Sequence, residues 1–494
     1  MKDDVESKPT TGRLFLTVFP SIMLPMFLAV VDQTIVATAL PAIAASLGSV
    51  GRISWVVISY LVAATIAAPV YGQLRDVFGG RRMMLIALSV FIAASLLCTV
   101  ATSVEMLALA RVLQGFGGGG LMTLSQALIG ETIPPRERGR YQGYLAAVIV
   151  TSSTFGPVVG GYLTYHFGWR SIFLVNLPLG LVAVLMTLRL VQRQGNPQSW
   201  TFDKLGLFFF VGFIAPLLLA LEQVQRWNSG AGTRFLILIT IALTSLALLI
   251  RQERRASYPL LPIHLLRQPT IWRSDALAAC HGGVLVSLVT FLPLYLHVSQ
   301  SASSAETGLL LLPLMLGLGT GSMTTGRIVS RTGYTTIFPS IGLMGATVGL
   351  VVLSVWAANF SHPQLSVLLF LSGLCMGTVM GVVQVTVQSA ADKATLGSAA
   401  ASVQLSRSVG AAVGTALVGT ILFAVVAHSQ PETARLFASM IERGADTMAS
   451  VPSARQEIVR GEIAVAFRAA FLTMAGFAAI GATIAWSIPT RRLS

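Results

Sequence analysis

The chain has 494 residues, of which 54% are hydrophobic and 11% are charged, and its mean hydropathy is +0.76. A soluble domain carries roughly 25% charged residues, so this composition excludes an ordinary water-soluble protein. The net charge of +14 lies in short segments between apolar runs, a pattern that is typical of topology signals in membrane proteins and argues against a nucleic-acid-binding surface.

Apolar runs follow one another along the whole chain, and each is long enough, at about 20 residues, to cross a bilayer. Backbone groups inside hydrocarbon must be paired within the structure, and these runs are too long for barrel strands, so we predict an all-α polytopic membrane protein. The fourteen predicted spans are 14–40, 53–74, 82–102, 105–129, 141–164, 170–190, 204–223, 234–251, 273–297, 307–328, 336–357, 364–389, 398–426 and 466–488.

Lysine and arginine are unevenly distributed between the two sides of these spans. With the N-terminus placed inside, 22 of the 33 lie in inner segments and 9 in outer ones. Positive charge is enriched on the cytoplasmic side of membrane proteins, so we predict that both termini are cytoplasmic. The N-terminus shows no cleavable signal pattern. The one long outer segment, 427–465, is predicted to hold a short surface helix, with a lid over the outer mouth as the alternative.

Cys98, Cys280 and Cys375 all lie inside apolar runs and far apart in sequence. Their spacing does not fit a metal-binding motif, and we predict that they are small packing residues. The chain shows no nucleotide-binding loop and no pairing of a nucleophile with a base. The sequence therefore predicts neither an enzyme nor a bound cofactor.

The two ends of the chain contain related glycine patterns in the same order. Three pairs share their spacing: Gly72-x6-Gly79 with Gly326-x6-Gly333, Gly115-x3-Gly119-x6-Gln126 with Gly377-x3-Gly381-x6-Gln388, and Gly156-x3-Gly160 with Gly410-x3-Gly414. Asp76 of the first pattern is replaced by Ser330 in its counterpart. A parallel repeat predicts two six-helix bundles with a substrate site between them near the midplane. The spans 204–223 and 234–251 then form an inserted pair.

A carboxylate lies inside the first predicted span, at Asp32. An acidic side chain at that depth costs about 2.5–3.5 kcal/mol on insertion scales and is retained where it faces water or a partner. Burial favours its neutral form and a nearby cation favours its charged form. We therefore predict that Asp32 binds a proton or a cationic ligand, with a structural hydrogen-bonding role near the outer end of the span as the alternative.

Arg111, in the fourth span, is a second charge in an apolar segment. A guanidinium stays charged and needs a counter-charge or water inside a membrane. Asp32 is the predicted partner, with snorkelling of Arg111 to the outer interface as the alternative. Arg407 in the thirteenth span poses the same problem nearer the cytoplasm, and Glu222 is interpreted as interfacial.

Two glycine motifs are predicted to control helix packing and movement. The inner-face loop is a tight turn that sets topology and can act as a latch, with Asp76 facing a helix N-terminus or neighbouring arginines. In the fifth span a proline interrupts the helical hydrogen bonds and glycines permit close helix contact, with ordinary small-residue packing as the alternative. The loop residues are Gly72, Asp76, Gly79, Arg81 and Arg82, and the fifth-span residues are Gly156, Pro157, Gly160 and Gly161.

Polar and aromatic residues elsewhere in the spans are candidates for a substrate pocket. Aromatic faces attract cations, and a histidine titrates near neutral pH, although a packed hydrogen-bonding histidine fits His281 as well. The candidate pocket residues are Gln33, Tyr60, Gln126, Phe155, His281, Tyr295, Gln384 and Gln388, each with core packing as the alternative.

Together these motifs resemble the major facilitator superfamily, and within it the fourteen-span drug:proton antiporters. The resemblance covers nearly the whole length. It is carried by Asp32-Gln-Thr-Ile-Val in the first helix, the Gly72–Arg82 loop with Gly80 where a basic residue is common, Arg111-Val-Leu-Gln-Gly in the fourth helix, Gly156-Pro157-x-x-Gly160-Gly161 in the fifth and Trp169–Gly180 in the sixth. The later half shows no clear second membrane carboxylate of the kind that some drug-cation exporters have.

The resemblance implies a proton-coupled exporter of amphipathic, often cationic, drugs, dyes or biocides that works by alternating access in a bacterial inner membrane. It implies a monomer whose partners are small molecules, protons and lipid, with no nucleic acid and no cofactor beyond the proton gradient. A proton-coupled nutrient symporter and a non-transporting membrane sensor are the alternatives. The predicted divisions are the cytoplasmic N-terminus 1–13, the first bundle 14–190, a linker with two extra helices 191–272, the second bundle 273–488 and the cytoplasmic tail 489–494.

Overall fold

A computed structural model describes residues 19–48, 52–190, 202–225, 231–261, 263–299, 304–429, 433, 436–437, 453–489 and 492. Regular secondary structure in this part of the chain is helical, with one isolated bridge between Tyr334 and Arg492. The predicted all-α fold class is therefore confirmed. The predicted N-terminal segment 1–13, most of the tail 489–494 and residues 438–452 of the predicted outer segment lie outside the described residues.

We number sixteen α-helices whose bounds the structure describes. They are α1 Phe19–Leu47, α2 Trp55–Phe78, α3 Gly80–Thr99, α4 Val104–Thr132, α5 Pro135–Phe167, α6 Ser171–Leu174, α7 Asn176–Thr187, α8 Lys204–Gln225, α9 Ala231–Glu253, α10 Ile263–Leu266, α11 Pro269–Ser299, α12 Ser304–Thr332, α13 Ile337–Trp356, α14 His362–Ala390, α15 Leu396–Ser429 and α16 Ser453–Ser487.

Within the described residues, twelve helices are long and apolar enough to cross a membrane. The chain is therefore a multi-pass membrane protein, although the predicted count of fourteen spans is not confirmed. The fourth predicted span corresponds to α4, which is glycine-rich and carries Arg111 and Gln114. The sixth corresponds to α6 and α7, which together form only a shorter apolar stretch, Ser171–Thr187.

Helical structure extends into both ends of the predicted outer segment 427–465, whose bounds stay a prediction. Helix α15 continues to Ser429, and α16 begins at Ser453 rather than near 466. The polar residues Glu457, Arg460 and Glu462 in the first turns of α16 concealed this extension, because hydropathy marks the apolar part of a helix and not its hydrogen-bonded ends.

Contacts divide the chain into two compact units. The first unit contains residues 1–132, 151–201 and 393–401. Inside it α2 packs along α4, α4 also packs on α1 and α3, and α7 packs on α1 and α3. Three helices, α1, α2 and α3, therefore pack on α4, and α7 adds to this group through α1 and α3.

The second unit contains residues 133–150, 202–392 and 402–494. Inside it α12 packs along α14, α13 packs on α14 and α16, and α11 packs on α14 and α16. Helices α8 and α9 pack on each other, and only 22% and 11% of their most apolar stretches are buried. Surfaces so apolar and so exposed are typical of lipid-facing helices. The predicted domain boundaries stay predictions.

The glycines of the repeat make equivalent helix contacts inside the two units. In the first unit Gly115 of α4 lies against the backbone of Tyr60 in α2, and in the second Gly377 of α14 lies against Leu318 in α12. A Cβ atom at either glycine would overlap the facing backbone, so the close approach of these helices depends on glycine.

Glycines of α5 and α15 also make equivalent close helix contacts in the two units. Gly160 of α5 packs on Ile35 of α1, while Gly410 of α15 packs on Ala279 of α11. The spacing of glycines in the sequence thus corresponds to the same helix pairs in each unit.

Candidate functional site

Asp32 lies in the middle of α1 with its side chain fully buried, in the interior of the first unit. Its Oδ2 accepts a hydrogen bond from the Arg111 guanidinium at 2.5 Å. Its Oδ1 accepts hydrogen bonds from Gln114 Nε2 and Asn176 Nδ2, both at 2.8 Å. One charged donor and two neutral donors are the surroundings that a carboxylate needs to carry its charge away from water.

The Arg111 guanidinium is held on several sides. Its Nε donates to the Val56 carbonyl oxygen at 3.2 Å, and its Nη1 also donates to Gln114 Oε1 at 2.8 Å. The Tyr60 ring lies under the guanidinium, with its centroid 4.1 Å from Cζ. Because Arg111 is 1% exposed, the alternative that it snorkels to the membrane interface is wrong in this structure.

A second layer of polar side chains orients Gln114. Its Nε2 also donates to Ser95 Oγ at 2.8 Å, and the Cys98 thiol donates to its Oε1 at 3.3 Å. Ser95 Oγ donates in turn to the Phe91 carbonyl oxygen at 2.8 Å. The amide of Gln114 can therefore point its nitrogen toward Asp32 and its oxygen toward Arg111, with every polar atom paired.

An apolar cluster closes this polar network on the side toward the C-terminal end of α1. The cluster consists of Val31, Ile35, Val36, Ala39, Ile43, Val56, Cys98, Ala101, Val104, Leu107, Ala110, Trp169, Ile172 and Phe173. Asp32 and Arg111 are each 1% exposed. In this conformation the carboxylate is therefore enclosed and its charge is balanced inside the protein.

Sequence reasoning predicted the pairing of Asp32 with Arg111 but did not assign roles to Gln114, Asn176 or Ser95. One signal was present, because Gln114 lies three residues after Arg111 and so shares its helix face. Asn176 could not be placed from spacing, since its contact depends on how α7 packs on α1. The functional roles of the predicted residues stay predictions.

Asp76, at the end of α2, caps the first turn of α15 inside the first unit. Its carboxylate accepts hydrogen bonds from the backbone nitrogens of Gly397 at 2.8 Å and Ser398 at 2.9 Å, and from Ser398 Oγ at 2.8 Å. Arg75 Nη1 donates to the same carboxylate at 2.7 Å. A carboxylate at a helix N-terminus pairs free amide groups and complements the helix dipole.

The rest of the inner-loop motif shapes this contact. Gly79 has a φ of 89° at the turn between α2 and α3, a value that favours glycine. A Cβ atom on Gly72 would lie 2.7 Å from the carbonyl oxygen of Gly397. The arginine that pairs with Asp76 is Arg75, which the motif did not single out, whereas Arg82 lies over the Phe78 ring and Arg81 is partly exposed.

Ser330 makes the corresponding but weaker contact in the second unit. The backbone nitrogen of Arg140, near the start of α5, donates to Ser330 Oγ at 3.0 Å. Gly139 and Gly326 approach each other here as Gly72 and Gly397 do in the first unit. The close glycine contact is therefore kept in both copies of the repeat. The helix start is contacted by the Asp76 carboxylate in the first unit and by the neutral Ser330 hydroxyl in the second.

The fifth-helix motif faces α1 with two of its three glycines. A Cβ atom on Gly156 would meet the Thr34 side chain, and one on Gly160 would lie 2.9 Å from the Ile35 carbonyl oxygen. Gly161 has no atom within 4 Å of such a position, and Pro157 is exposed. These two glycines thus allow α5 to pack closely on α1 within two helical turns of Asp32.

The candidate pocket residues fall into the two units in equal numbers. In the first unit Tyr60 belongs to the ion-pair site, Gln33 Nε2 lies 3.9 Å from the Met122 sulfur, Gln126 is buried and Phe155 is 58% exposed. In the second, His281 Nε2 lies 3.1 Å from the Met376 carbonyl oxygen, Tyr295 packs edge-on against Phe467 and Phe471, and Gln384 and Gln388 are buried. Tyr60 contacts the charged network through the Arg111 guanidinium.

The second unit contains a buried carboxylate, Asp275, so the prediction that the later half lacks a clear one is wrong. Asp275 is 4% exposed, and Ser402 Oγ donates to its Oδ1 at 3.3 Å. Asp275 was not predicted from the sequence because it stands two residues inside the predicted start of a span and close to Arg273. Helix α11 in fact begins a full turn earlier, at Pro269, and element boundaries are the least reliable part of a sequence reading.

The helical bundles and the motifs that shape them define a class of multi-pass membrane protein, and comparison gives its family. The chain belongs to the Major Facilitator Superfamily, whose family model matches residues 22–415. This is a family of membrane transporters and not of enzymes, so the prediction that the chain is not an enzyme is confirmed.

Individual relatives share this assignment. An uncharacterized MFS-type transporter of Mycobacterium tuberculosis is 33% identical over 408 residues, which are 82% of this chain and 59% of the relative. The multidrug transporter protein MdtP of Bacillus subtilis is 28% identical over 424 residues, 85% of this chain and 77% of the relative. The crystal structure of the human organic anion transporter MFSD10 has the same fold, with a TM-score of 0.66, 14% identity and coverage of 95% of this chain and 99% of that one.

Proposed function

We propose that this protein exports amphipathic, often cationic, small molecules in exchange for protons. The observation that carries the proposal is the enclosed ion pair of Asp32 with Arg111, supported by Gln114 and Asn176. Relatives named as a multidrug transporter and as an efflux pump support the export of drugs or dyes. The proton gradient is the proposed energy source, with no other cofactor.

The ion pair couples proton binding to conformation for an electrostatic reason. A proton on Asp32 would remove the counter-charge of Arg111 and leave a buried, unpaired guanidinium, which costs several kcal/mol. Protonation is therefore unfavourable while the network is closed and becomes favourable when water reaches both groups. A ligand that binds two conformations unequally shifts their populations, and here the proton favours the open network.

A cationic substrate competes with Arg111 and with the proton for the same negative charge. Substrate is proposed to bind the deprotonated, inward-open form, and protonation from the outside is proposed to release it. This competition makes exchange the natural direction of coupling. The contact of Asp76 with Gly397 and Ser398 is the proposed inner latch, because its breaking would leave the charge of the bundle interior unchanged.

The bias of basic residues supports a cell-membrane protein with both termini in the cytoplasm, acting as a monomer on small-molecule substrates. A bacterial inner membrane fits this arrangement. These features belong to the proposal, together with a count of fourteen spans in which α4 and the α6–α7 pair also cross the membrane.

The test is efflux of a fluorescent cationic dye, ethidium, from cells that express the protein, with and without a protonophore. We expect gradient-dependent efflux in the wild type and none above background for Asp32→Asn, with the surface variant Asp392→Asn as the matched control. Full wild-type efflux by a correctly inserted Asp32→Asn protein would sink the mechanism. Alkalinisation of the medium on adding a substrate would favour the nutrient symporter. Absence of substrate flux in liposomes that contain the protein would favour the non-transporting sensor.

A further inference from the structure

Asp275 of α11 is buried in the second unit with few partners. It is 4% exposed, and its described hydrogen bond is the one from Ser402 Oγ to Oδ1 at 3.3 Å. Its other oxygen, Oδ2, has no hydrogen-bond partner among the described residues. Ionised carboxylates are strongly disfavoured in such surroundings, since burial removes bulk water and a single neutral hydroxyl compensates little of the charge.

No cation in the described part of the chain lies within 4.0 Å of the Asp275 carboxylate. Arg273, two residues earlier, donates to the Ser487 carbonyl oxygen, and Arg407 of α15 directs Nη2 toward the Met380 carbonyl oxygen at 3.5 Å. His281 of α11 lies against the Met376 carbonyl oxygen. Arg273, Arg407 and His281 therefore contact backbone carbonyl oxygens and not the Asp275 carboxylate.

Helices α12, α14 and α16, which pack on α11, offer no substitute. On α14 the titratable residues are His362 and Cys375. Helix α16 contains no charged residue after Arg468, and the Ser487 carbonyl oxygen at its C-terminal end accepts a hydrogen bond from Arg273. The charged residues of α12 stand near its two ends, at Glu306, Arg327 and Arg331. Asp275 is the seventh residue of α11, and the favourable field of a helix N-terminus fades beyond the first turn.

The contrast with Asp32 sets the two buried carboxylates apart. Asp32 has an arginine and two amide donors, whereas Asp275 has one hydroxyl. The same conformation therefore favours the charged form of one acid and the neutral form of the other. Ser402 of α15 contacts Asp275 directly, and α11 stays close to α15 further along, where Gly283 lies against Gly410. A small separation of α11 from α15 at Ser402 would therefore admit water to Asp275.

We propose that Asp275 is a second proton-carrying residue, which holds a proton in this conformation and releases it to water when α11 and α15 separate at Ser402. The step breaks the carboxylic O–H bond, leaves a carboxylate and gives the proton to a water molecule. The inference rests on the proposed proton-coupled function for its role in transport, but the protonation state itself does not. If it is correct, each transport cycle exchanges one proton more than Asp32 alone would carry.

Infrared spectroscopy of the purified protein at neutral pH tests the protonation state directly. We expect a carbonyl stretching band of a buried protonated carboxylic acid that Asp275→Asn removes. The exposed-site variant Asp392→Asn serves as the control, and Glu253→Gln separates the band from that of another buried acid. An unchanged band in Asp275→Asn overturns the proposal. Should that variant fail to fold, Ser402→Ala is expected to shift the same band, and an unshifted band overturns the proposal equally.

Proton stoichiometry tests the transport role, with ethidium as the probe in liposomes that contain the purified protein. We expect Asp275→Asn to exchange one proton fewer per ethidium than the wild type while it still responds to the gradient. An unchanged ratio refutes the role of Asp275 and leaves the proposed function intact. If wild-type transport does not depend on protons, the proposed function fails, and the infrared band still decides whether Asp275 is protonated.

Discussion

At the scale of single residues, the negative charge of Asp32 is balanced by the positive charge of Arg111 in a site shielded from water. Asp32 and Arg111 are both 1% exposed, and each makes several further hydrogen bonds. Such a pair is costly to bury, and it is costlier still to break by removing one partner. Under the proposed function, the intact pair holds one conformation, and cancelling its charge favours another.

A double-mutant cycle measures this coupling. Arg111→Gln leaves Asp32 charged and without its cation, so we expect a loss of about 3–5 kcal/mol of stability, seen as an earlier thermal unfolding of the detergent-purified protein. Adding Asp32→Asn to this variant removes the stranded charge and should recover part of the loss. Additive effects of the two substitutions would show that the residues do not interact energetically.

At the scale of helices, glycines decide which elements can approach. A Cβ atom on Gly160 would stand 2.9 Å from the backbone carbonyl oxygen of Ile35, whereas one on Gly161 would have no neighbour within 4 Å. The two positions are adjacent in sequence but differ in packing, and this makes them a matched pair for testing the contact of α5 with α1.

We expect Gly160→Ala to destabilise the protein by about 1–3 kcal/mol, because overpacking forces the two helices apart. Gly161→Ala should be neutral or slightly stabilising, since alanine favours helices over glycine. Thermal unfolding and ethidium efflux provide the readouts. Equal effects of the two substitutions would contradict the contact described for Gly160.

Sequence patterns predicted those parts of the molecule that depend on period and spacing. Apolar runs predicted the helices, and matched glycines predicted equivalent helix pairs. The pairing of Asp32 with Arg111 followed from the cost of a lone charge in a membrane. The contact of Asn176 with Asp32 could not be predicted in this way, because it depends on the rotation of α7 about its axis. Asp275 was not predicted either, because a charged residue near the predicted end of a span is usually assigned to the membrane interface.

At the scale of the whole molecule, the chain repeats one packing scheme in two units but distributes charge unequally between them. The first unit holds an ionic network and a carboxylate cap, while the second holds buried Asp275, hydrogen-bonded to one hydroxyl, and a hydroxyl in place of the cap. The repeated framework accounts for the fold. Under the proposed function, the unequal charges produce a directed, proton-dependent cycle that depends on the Asp32–Arg111 pair.

The most direct test is proton movement in liposomes that contain the purified protein and a trapped pH indicator, when ethidium is added without an imposed gradient. The account predicts protons moving opposite to ethidium in the wild type and in Asp392→Asn, and no substrate-induced proton movement in Asp32→Asn. Equal proton exchange by Asp32→Asn, or protons travelling in the same direction as ethidium, would contradict it.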